Sequence, residues 1–203
     1  MSPFRESIRR IAQGMQTCDE WLEMIRDLDA PAHPGKVPAG LHMRWAHKGD
    51  LLAINALEGF VKETEFMEES LRRGDRCLLL EDDGGIRAFA WVTFRDFKLA
   101  LWYTLKLPPG WSYLVYIFVH PSHARQGVGT HLLGSLLNSL RAMGCRRIVS
   151  GMYSNWEASI GLHQKLGFRI HRRLAQCKIL NIFPTPPREE AKDSNPADSA
   201  QIE

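Results

Sequence analysis

The sequence predicts an α/β domain, and three observations support this fold class. Residues 116–137 change from a β-branched and aromatic run to a glycine-containing loop and then to helical periodicity. Residues 76–94 form two apolar runs on either side of a turn at 82–85, which is typical of a β-hairpin. A chain of 203 residues with 44% hydrophobic residues is long enough to bury one core of ordinary size.

The other elements follow from the same two patterns. Strands are predicted where β-branched and aromatic residues run between turn residues, and helices where apolar residues recur every three or four positions. The predicted strands are 41–46, 76–81, 86–94, 113–119 and 147–152, the predicted helices are 50–60, 63–73, 127–143 and 156–166, and residues 168–174 and 176–182 are predicted to form a closing hairpin. A long aromatic insertion occupies residues 96–111.

Two short helices are predicted before this domain. Apolar residues recur at helical spacing from Phe4 to Met15, and a capping box at 17–20 precedes a second run from Trp21 to Leu28. We therefore expect residues 1–40 to be a helical extension with a proline-rich linker, residues 41–183 to be the main domain, and residues 184–203 to be a disordered acidic tail. The apolar face of the extension is expected to pack on the domain, and a dimer contact is the alternative.

The loop that precedes the helix at 127–143 is suited to bind an anion. Gly127 and Gly129 let backbone N–H groups approach a ligand closely, and the first helical turn adds unpaired donors. Arg125 adds a positive charge suited to phosphate oxygens. No lysine follows Gly129 as in a P-loop, and Leu132 replaces the third glycine of the dinucleotide fingerprint. The loop therefore predicts a different diphosphate-bearing cofactor.

Two segments together resemble the GNAT superfamily of N-acetyltransferases. Residues 119–129 are similar to the segment V-x-P-x-x-(Q/R)-x-x-G-x-G/A, which holds the pyrophosphate of acetyl-CoA in that family. Residues 155–168 are similar to the segment that flanks the pantetheine arm, especially in the phosphinothricin acetyltransferase branch, where a histidine replaces the usual tyrosine. The resemblance covers roughly residues 41–183. It departs from the family at Ala124, where Gln or Arg is usual, and at Asn155, which stands one residue early.

The resemblance implies a fold, a cofactor and a set of binding residues. The fold is a mixed, mostly antiparallel sheet splayed around the acyl-CoA site and flanked by helices. Acetyl-CoA is the implied acyl donor, and Phe118 and Val119 present backbone groups to its pantetheine and its carbonyl oxygen. The cofactor-binding residues implied in this way are Phe118, Val119, Arg125, Gln126, Gly127, Val128, Gly129, Thr130, Asn155 and Ser159.

Two residues are candidates for proton transfer. His163 falls where the family's tyrosine protonates the CoA thiolate, and an imidazole can do this near pH 7. The alternative is a histidine that packs on its helix. The carboxylate that phosphinothricin-like enzymes carry on the central strand is missing, since Leu114 occupies its place. Tyr116 is the nearest polar group and can order a water or deprotonate the amine through one, and a tyrosine packed in the core is the alternative.

The aromatic residues in and around the insertion predict part of the acceptor site. Seven aromatic side chains fall within residues 91–113, which exceeds what one core layer needs. We expect some of them to wall the acceptor pocket and to favour a substrate with an apolar or ring-shaped part. The seven residues are Trp91, Phe94, Phe97, Trp102, Tyr103, Trp111 and Tyr113.

Composition argues against several other classes of protein. The net charge is +3, and residues 41–183 hold 19 Lys and Arg against 12 Asp and Glu. This balance suits an anionic cofactor but is too weak to predict nucleic-acid binding. The histidines lack metal-ligand spacing, so no metal is expected. No apolar stretch approaches 18 residues, no signal peptide is apparent, and the four cysteines form no C-x-x-C pair. We therefore expect a cytoplasmic protein with reduced thiols and no membrane partner.

The sequence thus favours an acetyl-CoA-dependent N-acetyltransferase, a transferase that acts on the amine of a small molecule. Two alternatives stay open. The first is an acyltransferase for longer chains, in which the aromatic insertion shapes an acyl slot. The second is a non-catalytic domain that binds acyl-CoA as a sensor or scaffold, which the missing carboxylate and Ala124 support.

Overall fold

The computed structural model describes residues 16–36, 39–58, 60, 64–100, 103–179, 183–184 and 188–189. Its strands are β1 (Gln16–Asp27), β2 (His42–Trp45), β3 (Arg76–Asp82), β4 (Gly85–Thr93), β5 (Phe97–Ala100), β6 (Tyr103–Leu105), β7 (Trp111–Val119), β8 (Arg147–Tyr153), β9 (Arg169–Ile179), β10 (Phe183–Pro184) and β11 (Arg188–Glu189). Its helices are α1 (Leu51–Asn55), α2 (Thr64–Arg72), α3 (Val128–Ala142) and α4 (Glu157–Lys165), with 3₁₀ turns at Lys48–Asp50 and Pro121–His123.

Nine strands form one sheet in the order β10-β9-β1-β8-β7-β4-β3-β2, with β11 also paired to β9. Neighbouring strands are antiparallel throughout this sheet except β7 and β8, which run parallel. Strands β5 and β6 form a separate hairpin within the predicted aromatic insertion. The predicted class, a mixed and mostly antiparallel sheet flanked by helices, is confirmed.

The core lies on both faces of the sheet. Helix α3 covers one face, where Leu132 and Leu136 belong to a cluster with Ala90 and Leu114. We call this the α3 face, and α4 packs on it through Ile160, Leu162 and Leu166. Helices α1 and α2 cover part of the opposite face, and the β5–β6 hairpin covers another part. Because strand side chains alternate between faces, consecutive residues of β7 and of β8 contact different core clusters.

The helix predicted over residues 17–28 is wrong, since these residues form β1. The strand lies between β8 and β9, so both of its faces are covered. Leu22 and Met24 point to the α3 face, whereas Ile25 points to the opposite face. A strand that is buried on both sides has apolar residues on both faces, and here their spacing imitates that of a helix. A strand of the predicted extension therefore belongs to the main sheet, and the first predicted helix lies outside the described residues.

Other predicted elements need smaller corrections. The closing hairpin is wrong, because Arg169–Ile179 is one continuous strand that pairs with β1 instead of folding back at 175. Helix α1 is shorter than the predicted 50–60. The β3–β4 hairpin, α2, β7, α3, β8 and α4 lie within two residues of their predicted ends. Most of the predicted tail lies outside the described residues, so its disorder stays a prediction.

The chain between β1 and β2 crosses α3. The side-chain amide of Asn138 accepts a hydrogen bond from the backbone N–H of Ala32 at 2.8 Å and donates one to the Ala32 carbonyl at 3.0 Å. Gly134 makes room for this crossing, because a Cβ there would lie 2.6 Å from Cα of Pro34. Across the described part of the chain, no helix has the length and apolar character needed to cross a membrane.

Candidate active site

Strands β7 and β8 lie side by side only in their first halves. Their pairing runs from Trp111 opposite Arg147 to Leu114 opposite Ser150, and in the described residues no strand pairs with this edge of β7 beyond that rung. The β4–β7 register shifts at Val115, which indicates a bulge that bends β7. Residues 115–119 therefore present an unpaired backbone edge to the gap between the strands, which we call the split. Such an edge can bind an extended ligand through main-chain hydrogen bonds.

The predicted anion loop lies at the end of β7. Gly127 is the N-cap of α3 with φ of 82°, and among the described residues no side chain caps the helix. The first N–H groups of α3 therefore have no capping partner, which suits an anionic ligand. Arg125 adopts φ of 61°, an uncommon conformation for a residue other than glycine. Strain of this kind is found most often at functional sites.

Gly129 brings the two family-like segments together. A Cβ built on Gly129 would lie 3.5 Å from Cδ2 of Leu162 and 3.5 Å from Cγ2 of Val119. The first turn of α3, the end of β7 and the middle of α4 thus meet at one point. The residues predicted to contact the pyrophosphate and the pantetheine lie on neighbouring elements around the split.

Three further residues predicted to bind the cofactor differ in how far their side chains are available. The Gln126 side chain donates to the carbonyl of Ser122 at 2.9 Å, so its main chain is the part left to face a ligand. Asn155 is exposed in the turn before α4, and Trp156 rather than Asn155 is the N-cap of that helix. The Asn155 amide is therefore available to a ligand. Ser159 is half-buried in the first half of α4.

The second family-like segment forms the end of helix α4. Gly167 has φ of 83° and follows the C-cap residue Leu166. The N–H of Phe168 donates to the carbonyl of His163 at 3.0 Å, and that of Gly167 donates to the carbonyl of Gln164 at 2.9 Å. These two bonds define a Schellman motif, and the His163 and Phe168 rings supply its side-chain contact at 4.8 Å. Gly167 is thus the C′ residue of α4.

His163 is buried between α4 and β8, with 1% of its surface exposed. Its Nδ1 lies 2.7 Å from the carbonyl oxygen of Ser159, so Nδ1 carries the proton and donates it. Its Nε2 lies 3.0 Å from Oγ of Ser150 and accepts from that hydroxyl. Burial lowers the pKa of His163, and the bond to the Ser159 carbonyl opposes this shift. The ring is therefore neutral at physiological pH and fully paired.

Tyr116 and Phe118 point to the face opposite α3. The Tyr116 ring contacts Phe60 edge-on at 4.9 Å and stacks on Phe89 at 5.9 Å. Burial raises the pKa of the Tyr116 phenol, so the hydroxyl stays protonated and acts as a donor rather than a base. Phe118 stacks on Phe89 at 5.5 Å. The side chains of Phe118 and Val119 pack against the core clusters, and the contact of their backbone with a cofactor stays a prediction.

The predicted aromatic insertion is mainly a small core of its own. Phe97 stacks on Tyr113 at 5.0 Å, and the cluster includes Leu105 and Val149. Trp102 lies outside the described residues, so its predicted place at the acceptor site stays a prediction. Sequence reasoning missed Ser150, because a serine in a predicted strand carries no chemical signal until its partner is known.

A large cleft lies away from the split. It measures about 1040 Å³ and lies beside α2 and the beginning of β3, at the opposite end of the sheet from the anion loop. Its walls are highly charged, and several of these charges pair with each other, such as Lys48 with Glu68 at 3.1 Å. The split is therefore distinguished from this cleft by its backbone geometry and not by its volume.

Known proteins resemble this chain in sequence and in fold. An L-methionine sulfoximine/L-methionine sulfone acetyltransferase of Salmonella typhimurium is 30% identical over 110 residues, which cover 52% of this chain and 57% of that protein. An L-amino acid N-acyltransferase of Escherichia coli is 29% identical over 107 residues, which cover 51% and 55%. The chain thus spans little more than half the length of these curated relatives.

Solved structures show the same fold. A GCN5-related N-acetyltransferase from Sphaerobacter thermophilus has a TM-score of 0.63 at 16% identity and covers 87% of this chain and 56% of its own. A Salmonella typhimurium protein solved with its cofactor acetyl-CoA has a TM-score of 0.52 at 21% identity and covers 72% and 98%. The sequence model of the acetyltransferase (GNAT) family matches residues 39–168, more than half of the chain. This chain belongs to the acetyltransferase (GNAT) family.

Proposed function

We propose that this protein is an acetyl-CoA-dependent N-acetyltransferase that acts on the amine of a small, amino-acid-like molecule. The observation that carries the proposal is the geometry at the end of β7. There an unpaired strand edge, residues 115–119, leads directly to the uncapped N-terminus of α3. A cofactor with an amide-rich extended arm and a diphosphate matches both features.

The main chain does most of the donor binding in this proposal. N–H groups of the loop and of the first turn of α3, from Gly127 to Thr130, receive the pyrophosphate, and Arg125 adds charge from an exposed position. The arm lies along the β7 edge between that strand and the beginning of α4, beside Asn155 and Ser159. The thioester then reaches the last shared rung, where Leu114 and Ser150 are both buried.

Acetyl transfer moves one proton off the amine and one onto the sulfur while the N–C bond forms and the C–S bond breaks. Leu114 offers no carboxylate as base, so Tyr116 is assigned the ordering of a water that receives the amine proton. The predicted role of His163 as the thiolate's acid stays a prediction. Its burial and its two hydrogen bonds favour the packing alternative, in which water in the split protonates the thiolate.

The proposed acceptor class comes from the relatives. Both proteins named above act, by their names, on amino acids or amino-acid-like sulfoximines and sulfones. The match to each covers only part of its length, so the acceptor assigned to this chain is a proposal to be tested directly.

A thiol-release assay tests the proposal. Acetyl-CoA is incubated with the protein and with a panel of L-amino acids, amino sugars and polyamines, and free CoA is measured against a no-amine blank. We expect amine-dependent CoA release that is greatest with the L-amino acids. Binding of acetyl-CoA without turnover on any amine supports the sensor alternative instead. Faster turnover with longer acyl-CoAs supports the longer-chain acyltransferase.

A further inference from the structure

The split lies between the two faces of the sheet, and in the proposed function the donor reaches it from one of them. Helices α3 and α4 pack on the face that carries Leu114, Ile148 and Met152. A donor held at the N-terminus of α3 therefore reaches the split from this face and from the β7 edge. The amine then has to approach from the opposite face, which carries Tyr116 and Val149.

On that opposite face, the N-terminal strand places an indole beside the split. Gly151 of β8 follows Ser150, the last residue paired with β7. Trp21 of β1 lies against Gly151 so closely that a Cβ on the glycine would be 2.5 Å from Cζ2 of the indole. The indole contacts Tyr153 edge-on at 5.1 Å, and Tyr153 contacts Trp156 at 5.4 Å.

These three rings form an aromatic surface that reaches solvent. Trp156 is 51% exposed, and Trp21 and Tyr153 are half-buried. On the other side of the split stands Tyr116, whose ring is fixed between Phe60 and Phe89. Aromatic side chains therefore stand on both sides of the split, Tyr116 on one and Trp21 with Tyr153 on the other. Such rings bind apolar groups of a ligand with defined geometry.

We propose that Trp21, held across Gly151, forms one wall of the amine site and selects amines that carry an apolar or aromatic group. The inference rests on the proposed N-acetyltransferase function and adds a specificity residue to it. An apolar side chain of the acceptor contacts the indole while its nitrogen faces the thioester in the split. A small acceptor such as L-alanine reaches the split without this contact.

Two substitutions test the wall by independent routes. Trp21→Leu removes the ring, whereas Gly151→Ala keeps the ring but displaces it, since the added Cβ occupies its place. The measurement is the ratio of kcat/KM for L-phenylalanine to kcat/KM for L-alanine. We expect each substitution to lower this ratio about 3- to 10-fold, as expected for loss of one aromatic contact. The Kd of CoA should not change, because both residues lie on the amine side.

The double variant makes the test specific. In a Trp21→Leu background the added methyl group has room, so Gly151→Ala should change the ratio less than about twofold further. Trp45→Leu is the matched control, since Trp45 is half-buried on the distant strand β2 and contacts Arg76. Its ratio should equal that of the wild type. Should Trp21→Leu not fold, Trp21→Phe carries the same comparison with a smaller ring.

The outcomes separate the wall from the activity. If the wild-type protein acetylates amines but the ratio is unchanged in both single variants, the proposed role of Trp21 is wrong. The proposed N-acetyltransferase function then stands. Additive effects in the double variant also contradict the proposed role of Trp21, since they show that Gly151 acts independently of Trp21. A wild-type protein that acetylates no amine overturns the proposed function, and the wall with it.

Discussion

The N-terminus of α3 and the C-terminus of α4 both carry glycines of family-like segments. They differ in whether their terminal backbone groups are hydrogen-bonded within the protein. At α3, Gly127 begins the helix without any side-chain cap. At α4, the carbonyls of His163 and Gln164 accept bonds from Phe168 and Gly167, and the carbonyl of Leu166 accepts one from the Arg26 guanidinium. The first N–H groups of α3 are therefore left for a ligand, whereas the last carbonyls of α4 accept hydrogen bonds within the protein.

This difference separates a binding motif from a folding motif. A helix end with unsatisfied groups attracts a ligand, whereas a helix end closed by a Schellman motif fixes where the chain turns. Substitutions at the open end of α3 should therefore change CoA affinity more than stability. Substitutions at the closed end of α4 should change stability more than affinity, even though both segments identify the family.

The largest expected effect is at His163. His163→Ala removes a buried ring, leaves a cavity and deprives Ser150 of its partner, so it should lower the free energy of unfolding by about 3 kcal/mol. Urea unfolding measures this change, and the Kd of CoA should stay within about twofold. Gln164→Ala, at an exposed position of the same helix, is the control and should have little effect.

The opposite pattern at His163 would separate the two roles considered for this residue. A stable His163→Ala protein whose kcat falls about 100-fold, with unchanged CoA affinity, would contradict the packing role and support proton donation to the thiolate.

The next effect is at the open helix end. Gly127→Val forces a β-branched residue into the left-handed region and rotates the N–H groups that receive the pyrophosphate, so the Kd of CoA should rise about 30-fold. Gly144→Val is a closely matched control, because Gly144 follows the other end of α3 with φ of 85° and no atom within 4 Å of an added Cβ. Both variants should lose similar stability, but only Gly127→Val should lose affinity.

Arg125→Ala distinguishes the backbone cradle from a charge-based site. Because the Arg125 side chain is exposed, its removal should raise the Kd of CoA less than Gly127→Val does. The reverse order of the two Kd values would contradict the backbone cradle.

A smaller effect is expected for the glycines of α4. Gly167→Ala places a methyl group at φ of 83°, which should cost 1 to about 2 kcal/mol of stability. Gly161 lies inside the same helix with open space around it, so Gly161→Ala should instead stabilise by about 0.5–1 kcal/mol. Denaturant midpoints of the two variants should therefore move in opposite directions, and movement in the same direction would contradict the Schellman assignment.

Local chemistry made much of this molecule predictable. Glycine and turn residues mark the β3–β4 hairpin, the loop after β7 and the end of α4, because each position needs a backbone conformation that few residues adopt. Periodicity located α2 and α3 within two residues of their ends. The meeting of the glycine loop with a helix N-terminus was therefore predictable from sequence, whereas its binding of an anion stays a prediction.

Contacts between distant segments were not predictable. β1 has helix-like spacing, and only its place between β8 and β9 makes an extended conformation favourable. The pairing of Ser150 with His163 and the contact of Trp21 with Gly151 both depend on that tertiary arrangement. The function of a buried histidine is decided by its partners, and the sequence does not name them.

The smallest expected effect is a pH dependence of stability at the closed helix end. Burial lowers the pKa of His163 in the folded protein, whereas in the unfolded chain it is about 6.5. Below that pH the unfolded chain therefore binds a proton that the folded protein does not, so stability falls as pH decreases. The contribution is fully present above about pH 6.5 and declines toward the folded-state pKa.

His163→Gln removes this titration, while the other histidines stay in both proteins. Between pH 7.5 and 5.5 the wild type should lose about 1 kcal/mol more than the variant in urea unfolding. Equal losses would show that His163 accepts a proton in the folded state, and the buried, fully paired imidazole would then be available for proton transfer after all.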